Sequence, residues 1–157
     1  MKKALKSLLK AGVASGLMLG AMVNLEATAQ IPLVPQELEQ RRQVVASFMG
    51  DHDLLILQDR AHQTRNDDVS WPYRPTNALY YLTHNKMPET ALMIQKSTSG
   101  VNSTLYAKAY NARWETWEGK IPTVEDNQAE SGIQTIRPAS QFDQAIFQTI
   151  NTMTNVA

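Results

Sequence analysis

Few side chains in this sequence have a type and spacing suited to chemistry. Three histidines, His52, His62 and His84, are scattered, and none forms H-E-x-x-H or another pair at metal-ligand spacing. A lone imidazole in a polar stretch reads as a solvated side chain. The chain has no cysteine, which excludes disulfides, a thiolate nucleophile and a sulfur cage for a metal. There is no G-x-S-x-G elbow, and the seven glycines are isolated rather than gathered into a phosphate loop. Asp67-Asp68 is an adjacent carboxylate pair, a pattern that makes turns or caps helices. Trp114 and Trp117 stand three apart beside Glu115 and Glu118. That spacing suits a core stripe, or else a contact surface, where rigid aromatics are favoured. Residue types alone point to no catalytic residue and no metal ligand.

The elements that must position these groups follow from patterning. Apolar positions Leu38, Val44, Val45, Phe48 and Met49, with Glu37 and Arg41 four apart, predict a helix over Gln36–Met49, stopped by Gly50. The run Asp53–Leu57 is short and continuously apolar, as in a buried strand. Gln58–Arg74 is polar, holds Asn66-Asp67-Asp68 and Pro72, and reads as a loop. Leu79–Thr83 is aromatic and β-prone, so a strand is expected there. Thr90–Gln95 and Thr104–Tyr110 flank a Ser97–Gly100 turn signal, predicting a hairpin. Val124–Ser131 predicts a short helix ended by Gly132, and Ile133–Ile136 a short strand closed by Pro138. Ser140, with Asp143 three residues on, predicts the start of the last helix. Phe142, Ala145, Ile146, Thr149, Ile150 and Met153 share one face of it. Strands mixed with helices and one hairpin give an α/β domain, a mixed β-sheet flanked by helices.

Composition adds an address. Met1–Lys10 is basic, Ala11–Val23 is apolar and uncharged, and Ala27-Thr28-Ala29 offers small residues at a cleavage site. This is the three-part pattern of a signal peptide over residues 1–29. Its 13-residue apolar run would span about 20 Å as a helix, short of a ~30 Å bilayer core. The expected mature domain is 30–157, exported, most simply to a bacterial periplasm, with no stable membrane insertion after cleavage. Beyond residue 30 the chain holds 11 basic and 14 acidic groups. A mildly acidic body is poor material for binding nucleic acid.

Two stretches together resemble a known family. One is Arg65-Asn66-Asp67-Asp68-Val69-Ser70-Trp71-Pro72-Tyr73-Arg74, followed by Leu79-Tyr80-Tyr81-Leu82-Thr83; the other is Arg113-Trp114-Glu115-Thr116-Trp117-Glu118-Gly119. In this order and spacing, with Gln40-Arg41-Arg42 and Met49-Gly50-Asp51 ahead of them, they resemble the N-terminal domain of Xaa-Pro aminopeptidases (aminopeptidase P, of the creatinase and prolidase superfamily). The resemblance runs from about Glu37 to Phe147. Where that family has a glycine after Leu-Thr, this chain has His84, and an acid expected after Arg113 is Trp114.

The resemblance implies a ribonuclease H-like fold and a domain without hydrolytic chemistry of its own. In the family, catalysis belongs to a C-terminal pita-bread domain with two metal ions, usually manganese, held by two Asp, one His and two Glu. That domain is absent from these 157 residues, so no cofactor is expected in this chain. The N-terminal domain contributes to subunit association and borders a neighbour's active-site entrance, implying its own catalytic domain or a neighbouring subunit as partner and a homo-oligomer. By motif position Asp68 and Trp117 would point toward that entrance, with Arg74 in support. The plainer roles are a loop cap for Asp68, core packing for Trp117 and a structural ion pair for Arg74. The alternative function is a stand-alone periplasmic protein- or peptide-binding module. A creatinase-like amidinohydrolase shares the domain, but the export signal counts against it.

Overall fold

The computed structural model describes residues 35–67 and 69–154. The expected signal peptide over 1–29, the start at Gln30 and residues 31–34 lie outside the described residues.

Helix α1 (Pro35–Ser47) starts on a proline, whose fixed φ suits the first helical position. It buries Leu38, Arg42 and Ala46, one stripe at four-residue spacing. Its end falls two residues before the predicted one, and Phe48 and Met49 close it by turn bonds to Val45 and Ala46. Strand β1 (Leu54–Gln58) follows. The polar segment after it holds a small antiparallel ribbon, β2 (Thr64–Asn66) and β3 (Val69–Ser70), not seen in the sequence. Asp67 occupies the turn with φ +42°, a conformation that Asp tolerates better than most residues. The turn-making role is thus borne out for Asp67, while Asp68 lies outside the described residues.

The β-strand expected at Leu79–Thr83 is a helix, α2 (Asn77–Thr83). Leu79, Leu82 and Thr83 are its buried residues, three and four apart, while Tyr81 is exposed. β-propensity is a weak preference, and burial of this stripe overrides it. The Thr83 hydroxyl donates back to the Leu79 carbonyl, and His84 closes the helix at φ +58°.

The hairpin forms at the expected turn, but its second strand starts at Gly100 and ends at Ala107 rather than running Thr104–Tyr110. Strands β4 (Ala91–Ser97) and β5 (Gly100–Ala107) pair from Ala91↔Tyr106 to Ser97↔Gly100. Helices α3 (Ala112–Glu118) and α4 (Val124–Ser131) lead to strand β6 (Thr135–Pro138). A full capping box starts α4: the Asp126 amide donates to the Thr123 hydroxyl, and the Thr123 amide to the Asp126 carboxylate. The Thr123 amide holds the Asp126 carboxyl below its ordinary range, aided by Lys120. The last helix, α5 (Phe142–Thr154), is preceded by a 3-10 turn over Ala139–Gln141 that already includes Ser140, and the Ser140–Asp143 capping pair is not made among the described residues.

The sheet runs β1-β4-β5-β6, antiparallel except for the parallel β5–β6 pair. It is a mixed sheet flanked by helices, as expected. Alternation sends Leu92, Ile94 and Leu105 to one face, against Ala46, Leu79, Leu82 and Ile133. Ala91, Met93 and Tyr106 go to the other, against Phe142, Ala145 and Ile146 of α5. Each fully buried leucine or isoleucine contributes about 1.5–3 kcal/mol. Helices α1 and α2 thus cover one face with the chain after α4, and α5 covers the other.

Candidate functional site

Two buried charged groups fix the frame around the candidate residues. Arg42 reaches from α1 with one guanidinium nitrogen, donating to the Leu82 carbonyl at 2.8 Å and the Ser131 carbonyl at 3.0 Å. It satisfies the C-terminal carbonyl groups of α2 and α4 together, where the helix dipoles favour a cation. Burial lowers its pKa, with Glu39 acting the other way. The second group is Asp59, 5% exposed just after β1. Its carboxylate accepts from the Arg60 amide at 2.9 Å, the Thr76 amide at 2.9 Å and the Tyr73 hydroxyl at 2.5 Å. This ties the end of β1 to the segment entering α2. Burial pushes the Tyr73 phenol far above its ordinary value; the Asp59 hydrogen bond and charge add to it, and Arg60 opposes.

Arg74 follows directly on this junction. It is exposed, and its guanidinium donates to the Asn77 side chain at 3.1 Å in the first turn of α2. No ion pair involves it among the described residues, so the plain structural ion-pair role has no partner there. Trp117 lies on α3, 82% exposed, with Trp114 52% exposed on the same short helix. Neither is core: both rings are exposed. Arg74 and Trp117 sit on separate elements, with no hydrogen bond or ring contact joining them among the described residues. At the β2–β3 ribbon, the Arg65 guanidinium stacks over the Trp71 ring at 5.0 Å.

The histidines are not ligands to a common site. His62 packs on Tyr73 at 5.4 Å, and His84 packs on Tyr80 at 4.8 Å with its Nδ1 2.8 Å from Glu130. Among the described residues no group of three or more His, Asp or Glu side chains could hold a metal ion. They do not fit the two-metal ligand set implied for the family's catalytic half.

Sequence reasoning missed Asp59 and Arg42. Asp59 follows an apolar strand and opens a polar segment, a position where a buried acid looks like any loop acid. Arg42 sits four residues from both Leu38 and Ala46, and that in-register position was the available signal.

A family model described as aminopeptidase P, N-terminal domain, matches residues 38–157. The chain belongs to the aminopeptidase P N-terminal domain family. A curated relative, the Xaa-Pro aminopeptidase of Haemophilus influenzae, is 28% identical over 101 residues, covering 64% of this chain and 24% of that protein. Among solved structures, aminopeptidase P of Escherichia coli with the inhibitor Pro-Leu superposes with TM-score 0.68 at 23% identity, over 73% of this chain and 26% of that one. Its low-pH form gives TM-score 0.67 at 24% identity, with the same coverage. This likeness shows that the fold is that of the aminopeptidase P N-terminal region. The chain spans about a quarter of the length of these relatives.

His84 turns the chain through φ +58° at the end of α2. A side chain there costs about 1 kcal/mol of backbone strain relative to glycine. The same side chain contacts Glu130 and Tyr80.

Proposed function

We propose that this chain is the non-catalytic N-terminal domain of an exported Xaa-Pro aminopeptidase, the family that releases the N-terminal residue before proline. The match over residues 38–157 carries this reading, with a chain about a quarter as long as the relatives. Hydrolysis belongs to the pita-bread domain, whose manganese pair would activate water. The domain described above would act in oligomerisation and at a neighbour's active-site entrance. Asp68, Arg74 before α2 and Trp117 on α3 are the residues proposed there. The exposure of Trp117 and the charge of Arg74, unpaired among the described residues, support that placement. Export rests on the basic, apolar and small-residue pattern of residues 1–29.

The test is an assay of the purified 157-residue chain on Xaa-Pro peptides with added manganese. No release of N-terminal residues is expected, and proline-specific hydrolysis by this chain would refute the reading. In an enzyme carrying this domain, Trp117→Ala and Asp68→Asn should raise KM for Xaa-Pro peptides severalfold with the fold intact.

The two exposed tryptophans on α3 also favour a second reading, a stand-alone periplasmic binding module. Light scattering after size exclusion tests it: a clean monomer that retains neither a partner chain nor a proline-containing peptide would leave it without support.

A further inference from the structure

Three cations line two adjoining surface depressions. A depression of about 480 Å³ lies between Arg60 and Asn77, with Arg74 on its wall. It adjoins a second, of about 240 Å³, across their shared residues Arg74, Pro75 and Asn77. The second ends at Tyr80 and Lys86. The first alone is within the ~300–1,000 Å³ of ordinary ligand sites, but both depressions are open to solvent and share a wall, which suits a chain segment laid across them better than an enclosed small molecule.

Arg60, Arg74 and Lys86 are all exposed, and none makes an ion pair among the described residues. This occurs in a chain whose body has more acids than bases. The acid in the first depression, Asp59, is buried and already accepts three hydrogen bonds. Those bonds also hold the floor rigid, because they tie Arg60 to the Tyr73–Thr76 segment that carries Arg74. On the far side of Gln58–Arg60 the surface changes sign: a neighbouring depression carries Glu89 and Asp143.

We propose that the pair of depressions from Arg60 past Arg74 to Lys86 binds an extended acidic segment of a partner polypeptide. Charge complementarity selects the occupant. Its carboxylates would meet three unpaired cations in sequence, and its acidic run would stop at Arg60, where Glu89 and Asp143 repel it. The proposal goes beyond the peptidase reading and uses no property of the peptidase half.

The experiment titrates the full chain with the blocked peptide Ac-Asp-Glu-Asp-Glu-NH2 at low ionic strength and follows amide NMR shifts. The expected result is saturable shifts confined to the stretch from Arg60 to Lys86, weakened by added salt. Arg74→Glu with Lys86→Glu should weaken binding about tenfold or more, while Arg113→Glu on α3 changes it less than about twofold. Unperturbed amide spectra elsewhere would confirm that both variants are folded. Absence of shifts, shifts centred elsewhere, or an equal response to blocked Asn-Gln-Asn-Gln or to inorganic phosphate would overturn the assignment.

Discussion

The Tyr73 hydroxyl lies 2.5 Å from the Asp59 carboxylate, joining the end of β1 to the segment that enters α2. Tyr73 also reaches the Met87 carbonyl at 3.2 Å. One phenol therefore links three stretches of chain that surround Arg74.

Tyr73→Phe deletes one of the three donors to a buried carboxylate. A loss of about 2 kcal/mol in urea unfolding is expected. A change below the error of the measurement would mean that water replaces the phenol at no cost.

The same pair sets an alkaline limit. The folded-state pKa of Tyr73 is raised, so its stabilisation is complete below the ordinary tyrosine pKa and falls as pH rises past about 10. Burial raises Tyr106 in the same direction. Absorbance titration of the five tyrosines should show these two ionising last, and Tyr73→Phe should remove one late step. A titration in which all five ionise together near pH 10 would contradict the burial of both.

Arg42→Ala should be among the most destabilising single changes. It leaves the carbonyls of Leu82 and Ser131 without their donor and opens space under α1. A loss of about 3 kcal/mol is expected from denaturant midpoints. Arg42→Lys should recover part of it, since one ammonium reaches one carbonyl more readily than two.

At His84 the backbone and the side chain pull in opposite directions. His84→Ala keeps the positive φ and loses the Glu130 contact, whereas His84→Gly loses the contact but relieves the strain. The glycine variant should be more stable than the alanine variant by about 1 kcal/mol. Equal stabilities in thermal melts would show that the turn relaxes.

Trp117→Ala should change stability by no more than about 0.5 kcal/mol, because the ring is 82% exposed. Calorimetry of the variant checks this, and a large loss would place the ring in a packed setting.

The sequence by itself determined the elements whose signal is local. The Val124–Ser131 helix with its Gly132 stop, the β4–β5 hairpin and the apolar face of α5 are fixed by periodicity, turn residues and caps within a few positions. It also carried the family, because the Arg65–Arg74 and Arg113–Gly119 segments keep their order and spacing. Tertiary structure decided what depends on distant partners. Leu79–Thr83 is helical because Leu79 and Leu82 pack against Leu92, Leu105 and Ala46, contacts that its own β-prone residues could not announce. Trp114 and Trp117 face outward because no other element covers that side of α3 among the described residues, and helical spacing reads the same for a core stripe as for a docking stripe. Arg60 and Arg74 come to one depression because Asp59 draws the end of β1 to Thr76 and Tyr73. Burial makes an unpaired carboxylate costly, and the donors that satisfy it come from 14 and 17 residues away.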